Sequence, residues 1–210
     1  MFKFILVAIS GLMLLYLSEL IRRRVRVLNE YSRKTYHVVH ALVFAVAPFL
    51  VSYKIIILLE LLLFGEMLIV RKYKLLPWLY EVGRISWGDL FTIAGVVSIA
   101  LLKPDPWIFL VAMLHLAFAD TIAALVGKKY GKTTRYKVFG QEKSLAGSVA
   151  FYCTSLFIMT VTVMLGVLNH SPEYALLILP PLVTITENVS IFGSDNFVIP
   201  VVVVILLRIL

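Results

Sequence analysis

Apolar residues run along this chain in long blocks separated by short polar breaks, and the blocks have the length of membrane helices. A bilayer span needs about 20 predominantly apolar residues, with a range of about 17–25. The pattern predicts helices near Phe4–Leu20, Tyr36–Val51, Ile55–Val70, Leu90–Leu102, Trp107–Val126, Leu145–Leu168, Tyr174–Thr186 and Phe197–Leu210. The seventh holds Pro180-Pro181, where a missing backbone donor and ring crowding predict a kink or break. The expected fold is therefore all-α, a polytopic membrane protein of seven to eight transmembrane helices. The blocks are too long and continuous for barrel strands.

Composition narrows the class further. Of the 210 residues, 61% are hydrophobic and only 15% charged, with a mean hydropathy of +0.96. Lipid offers no partners to backbone polar groups, so a chain this apolar resolves into helices. The single cysteine, Cys153, lies in an apolar run and has no internal disulfide partner. The first block lacks a sizeable basic region before it and a small-residue cleavage site after it. With Arg22-Arg23-Arg24 following, it reads as a retained helix rather than a signal peptide.

Charge then orients the bundle. Under the eight-helix reading, sixteen of the twenty basic residues fall in alternate loops: Arg22 to Lys34, Arg71 to Arg84, and Lys128 to Lys143. The positive-inside rule makes those loops cytoplasmic and puts both termini outside. The net charge of +8 is mostly this asymmetry, so nucleic-acid binding is not required. One transmembrane domain is expected, with a first helix and basic loop over 1–34 and a core over 35–210 that carries a polar loop at 127–148. A transporter would keep its polar groups near mid-membrane on broken helices; here they collect at one face, as interfacial chemistry requires.

The candidate chemistry sits in those loops. Gly127, Lys128, Gly131 and Lys132 look like a P-loop, but three residues rather than four separate the first glycine from Gly-Lys-Thr, and a membrane helix precedes them. Glycines still allow backbone N–H groups to approach phosphate, and lysines neutralise it. A flexible basic loop obeying the positive-inside rule accounts for the same residues. Lys143, Ser144, Gly147 and Ser148 open the sixth helix, with Ser144 placed as an N-cap and a helix N-terminus that suits an anion. Asp120 lies about seven residues before Gly127, about 10 Å along a helix. A carboxylate there costs about 2.5–3.5 kcal/mol to insert, so it needs a hydrated cavity and a partner. It fits a Mg²⁺ ligand, a base toward a hydroxyl, or a structural ion pair.

Further along, Glu187, Asp195 and Asn196 offer oxygens for a divalent ion, with helix capping an equal explanation for Asp195. Arg33 and Lys34 stand before His37 and His40, which share a helix face at i, i+3. Contact with an anion or headgroup suits that group better than a metal does. Glu60 lies deep in the third block and must be buried against a histidine or hydroxyl; Asp89 is placed to cap the fourth helix, Glu66 is within reach of Arg71, and His115 reads as a packing residue.

In order along the chain, these motifs resemble the CTP-dependent lipid-alcohol kinases: dolichol kinase, phytol kinase and the diacylglycerol/polyprenol kinases. Arg33-Lys34-x-x-His37 is similar to that family's early element. Asp120-Thr121-x-Ala123-x-x-x-Gly127-x-x-x-Gly131-Lys132 and Lys143-Ser144-x-x-Gly147-Ser148 are similar to its central signature, and Glu187 with Asp195-Asn196-x-x-x-Pro200 to its last. One departure is Ala146, where family members often carry Glu; a metal or base contact is then missing. The resemblance implies transfer of the CTP γ-phosphate to a membrane alcohol with Mg²⁺. It implies that Arg33, Lys34, Gly127, Lys128, Gly131, Lys132, Lys143, Ser144, Gly147 and Ser148 hold the nucleotide. Asp120, Glu187 and Asp195 would hold the metal, and Asp120, Lys143 and His37 would act on the reacting groups. Glu60 and Asn196 are second candidates. A phosphatidate cytidylyltransferase, a distant relative in the same chemistry, is the alternative, and a non-enzymatic transporter or scaffold ranks below it.

Overall fold

The computed structural model describes residues 29–74, 87–168 and 172–210. The expected helix at Phe4–Leu20 and the arginines from Arg22 to Arg26 lie outside them, as does Arg84. The apolar blocks that lie within the described residues are helical: α1 (Asn29–Val46), α2 (Tyr53–Lys72), α3 (Gly88–Leu102), α4 (Pro106–Leu114), α5 (Asp120–Tyr130), α6 (Leu145–Met164), α7 (Pro172–Val189) and α8 (Asp195–Ile209). Pro180 and Pro181 sit inside α7, which continues through them as one helix.

A π-helical turn, His115–Ala119, joins α4 to α5, and a 3₁₀ turn, Gly131–Thr133, extends α5. The result is a single helical rod from Pro106 to Thr133. This rod is the centre of the bundle: 61% of its most apolar stretch is buried, against 33% for α6. Both are long and apolar enough to cross a membrane. On α6 the outward stripe is itself apolar, with Val149, Phe157, Val161 and Met164 all exposed. A helix that is apolar on its solvent face as well as its packed face belongs against lipid. Phe109, Met113, Leu116, Phe151, Met159 and Ile199 are buried in the interior.

The all-α expectation needs one correction. The segment read as a flexible basic loop folds into an antiparallel hairpin, β1 (Arg135–Val138) and β2 (Gln141–Ser144), paired Arg135 with Ser144 and Val138 with Gln141. Only Tyr136 and Val138 supply an alternating apolar face, too short a pattern to announce a strand in so polar a stretch. Phe139 and Gly140 form the two-residue turn with φ of 46° and 79°, the positive pair that a type I′ turn needs.

Two capping expectations also change. The Asp89 carboxylate does not cap α3; it takes a two-pronged ion pair from Arg71, and Arg71 stacks on Trp87 at 4.7 Å. This pair, rather than one with Glu66, joins the end of α2 to the start of α3. Asp195 is not the N-cap of α8 either, a place held by Ser194. Its carboxylate accepts from the neighbouring Asn196 N–H at 3.0 Å. Close packing then locks α8 against α3, because a Cβ at Gly95 would stand 2.7 Å from the Asn196 carbonyl oxygen.

Candidate active site

Five helix ends converge at one end of the bundle: the starts of α1, α6 and α8 and the finishes of α5 and α7. With the hairpin they enclose a cavity of about 480 Å³, within the size range of small-ligand sites. Arg33, Lys34, Asp120, Gly127, Lys128, Lys143, Ser144, Gly147, Ser148, Glu187, Asp195 and Asn196 all line it. Residues from four separate stretches of the chain thus share one wall.

Two lysine–carboxylate pairs dominate its interior. Lys34 Nζ donates to Asp120 Oδ2 at 2.5 Å, with side chains 7% and 6% exposed. Lys143 Nζ donates to Glu187 Oε1 at 2.5 Å and to the Glu187 carbonyl at 2.8 Å. Both pairs are well out of water, where losing one partner leaves a costly unpaired charge. Glu187 and Asp195 lie at the polar ends of α7 and α8, beyond the apolar runs. Burial raises the pKa of each carboxyl above its ordinary range, and neighbouring carboxylates add to the effect, Asp120 foremost at Asp195; at Glu187 the Lys143 ammonium works against it.

That crowding of acids is the structural test for a cation. Hard carboxylate oxygens are the donors Mg²⁺ prefers, and Asp120, Glu187 and Asp195 face one cavity while repelling one another. Among the described residues, however, no three His, Cys, Asp or Glu side chains stand as a ready metal cage. Two of the three acids are held by lysine instead.

The remaining residues expected at the site are placed as follows. Ser144 ends β2 and caps α6, its Oγ accepting from Gly147 N–H at 3.2 Å. Gly127, Gly131 and Gly147 are packing glycines: a Cβ at Gly127 would meet Ser144 Oγ at 2.8 Å, one at Gly131 would collide with Ser144 Cβ and Oγ, and one at Gly147 would stand 3.0 Å from the Ala123 carbonyl oxygen. Gly127 and Gly147 still line the cavity, whereas Gly131 and the exposed Lys132 do not. His37 also stays off the cavity. It is buried behind Asp120, its Nε2 donating to the Leu116 carbonyl at 3.1 Å and lying 3.5 Å from Asp120 Oδ2. Thr92 Oγ1 stands 3.3 Å from the other ring nitrogen. His40 and Glu60 form a second buried pair at 2.9 Å between α1 and α2, away from the cavity. His115 bonds Val111 and Ser155 within the core. Asn196 donates from its side-chain amide to the Gly88 carbonyl at 2.8 Å. Ala146 is absent from the lining, unlike Ser144, Gly147 and Ser148.

Sequence reading missed three features. The π turn precedes Asp120 directly, and such turns shift the register of side chains on the helix that follows. Tyr136, on β1, places its hydroxyl 2.6 Å from Ser148 Oγ and donates to Asn188 Oδ1 at 2.5 Å. Ser148 also donates to Asn188 at 2.7 Å, so the hairpin is tied to α6 and α7 at the cavity edge. Phe192 and Gly193 line the cavity as well. Phe-Gly occurs three times in the sequence, at 64–65 inside α2 and at 139–140 and 192–193 in turns, so the pair alone does not mark the cavity.

The fold and the cavity together define an apolar helical protein of membrane type, with a basic, carboxylate-bearing pocket closed by a hairpin. Its curated homologues are lipid kinases, consistent with the CTP-dependent lipid kinase family. The chain is 32% identical over 152 residues to a phytol kinase of Synechocystis sp., covering 65% of this chain and 61% of that protein. It is 30% identical over 139 residues to the CTP-dependent diacylglycerol kinase 1 of Schizosaccharomyces pombe, covering 60% of this chain and 62% of that protein. The matched region thus spans less than two thirds of the length of either relative. No family model matches the chain, and no solved structure does.

Proposed function

We propose that this chain is a membrane lipid-alcohol kinase. It transfers the γ-phosphate of CTP to the hydroxyl of a prenol, phytol or diacylglycerol, in a bundle of seven to eight spans with the cavity on the cytoplasmic face. The observation that carries this reading is the convergence of Lys34–Asp120, Lys143–Glu187 and the α6 N-terminus on one cavity. CTP as donor rests on the activity named for the fission-yeast relative, and a lipid alcohol on both relatives.

Phosphoryl transfer asks a protein mainly for positioning and charge neutralisation. Arg33, Lys34, Lys128 and Lys143 supply positive charge to the triphosphate, and the first turn of α6 presents backbone N–H groups to it. Asp120, Glu187 and Asp195 would hold Mg²⁺, which when bound offsets charge on the phosphate oxygens. Nucleotide entry requires Lys34 and Lys143 to turn from carboxylate toward phosphate, which releases those carboxylates. Asp120 then receives the alcohol proton as the oxygen–phosphorus bond forms and CDP leaves. His37 positions Asp120 from behind, held in place by Leu116 and Thr92.

Labelled CTP tests the reaction. With purified protein and a panel of phytol, geranylgeraniol, polyprenols and diacylglycerol, γ-label is expected in the lipid. Appearance of α-label in the lipid instead would establish the cytidylyltransferase chemistry and sink the kinase.

A pH effect follows from the two raised carboxyls. The folded protein holds those protons more tightly than the unfolded chain, so stability falls as pH rises out of the ordinary carboxylate range. Mg²⁺ binding only the ionised form is expected to offset that fall. Thermal unfolding in detergent at pH 5 and pH 7.5 checks this: stabilisation by Mg²⁺ should be greater at the higher pH. Equal stabilisation at both would remove these carboxylates from the metal site.

A further inference from the structure

Twice among the described residues a phenylalanine adopts the left-handed backbone region, and each time glycine follows. Phe139 and Gly140 have φ of 46° and 79°; Phe192 and Gly193 have 54° and 89°. The first pair is the hairpin turn between Val138 and Gln141. The second is a turn closed by Ser194 N–H on the Ile191 carbonyl at 2.9 Å. Positive φ at both central residues makes each a type I′ turn, whose first position ordinarily takes Asn, Asp or Gly. A bulky aromatic there is a conformational outlier, and the fold gains little packing from it. Phe139 is 76% exposed and Phe192 48% exposed, and neither belongs to the buried core.

Both turns stand at the same cavity. Phe192 and Gly193 line it, and the hairpin turn reaches it through Gly140 and Gln141, with Phe139 one residue outside the lining. Two of its ion pairs are deep, with the Lys34, Asp120, Lys143 and Glu187 side chains between 6% and 16% exposed. The site therefore has a charged interior, and its rim carries the Phe192 ring alongside the exposed Arg135–Glu142 ion pair of the hairpin. A nucleoside triphosphate has the same division, an anionic tail joined to a flat heterocycle.

We propose that Phe139 and Phe192 are the base-holding elements of this site, stacking on the heterocycle of the nucleotide whose phosphates occupy the charged interior. The inference rests on the nucleotide reading given under Proposed function. Stacking favours any base, because every base has a π face. The rings thus supply nucleotide affinity without choosing between pyrimidines and purines.

The test is kinetic, with a stability control. Phe192→Gly and Phe139→Gly are each expected to raise the KM for CTP by about 5-fold to 160-fold, the range that loss of one aromatic stack produces. KM for the lipid alcohol is expected to hold. Inhibition by inorganic tripolyphosphate is also expected to hold, since it lacks a base. Phe192→Tyr, which keeps the ring, is expected to recover most of the lost affinity. The glycine variants should unfold at the same or a higher temperature than wild type, because glycine accepts positive φ without strain. A lower unfolding temperature with every KM unchanged would make the rings structural. A raised lipid KM, or weaker binding to anionic vesicles, with CTP KM unchanged would make them membrane anchors. Either result overturns the clamp while leaving the kinase standing. Absence of transfer by wild type from any nucleotide would overturn both.

Discussion

Asp120→Asn is expected to lower phosphoryl transfer by at least about 10²- to 10³-fold, the scale of removing one well-placed electrostatic group from an active site. The substitution keeps the side chain's shape and removes only its charge. The carboxylate is buried, bonded to Lys34 at 2.5 Å and backed by His37 at 3.5 Å, so its charge is held at one fixed point of the cavity. Its partner supplies a control. Lys34→Met leaves the Asp120 carboxylate buried without its ammonium, and breaking a buried pair in this way costs about 3–5 kcal/mol. Combining Lys34→Met with Asp120→Asn removes both charges, so stability should return while activity stays lost. CTP-dependent labelling of lipid in mixed micelles and thermal unfolding in the same detergent check both halves. More than a tenth of wild-type activity in Asp120→Asn would reduce the carboxylate to a structural ion-pair partner.

Gly131→Ala is expected to destabilise the protein by about 1–3 kcal/mol, the usual cost of forcing a methyl into a filled space. Gly131 has an ordinary φ of −84°, so backbone freedom is not the reason for glycine. Space is the reason, since its missing Cβ is where Ser144 Cβ and Oγ lie. The clash involves the root of the serine side chain, which cannot swing away without moving the junction of β2 and α6. Lys132→Ala, next in the chain on an exposed turn and off the cavity wall, should leave the unfolding temperature near wild type. An unfolding temperature for Gly131→Ala equal to wild type would contradict this packing role.

The glycines show where sequence reading reached its limit. A Gly-Lys-rich segment before a helix is legible as a place of close approach, but the approaching group is not. In the fold that group is Ser144 at the junction of β2 and α6, while Gly127 and Gly147 also line the cavity. His37 is a similar case. Its place one helical turn from Lys34 was visible in the chain, but its position behind Asp120 depends on α1 packing against the α4–α5 rod. The hairpin was invisible because four-residue strands with two apolar side chains carry too little pattern to stand out from a basic loop.

By itself the sequence determined the helices, because blocks of apolar residues bounded by charge can be satisfied in lipid only as helices. It also determined that Asp120 and Glu60 needed partners, because a charge cannot stay alone out of water. Which partners they took was decided by the tertiary structure alone. Lys34 meets Asp120 across 86 residues and Lys143 meets Glu187 across 44, distances in sequence that only the packing of helix ends can close. The same packing brought two Phe-Gly turns from separate segments to the edge of the cavity that these paired charges line.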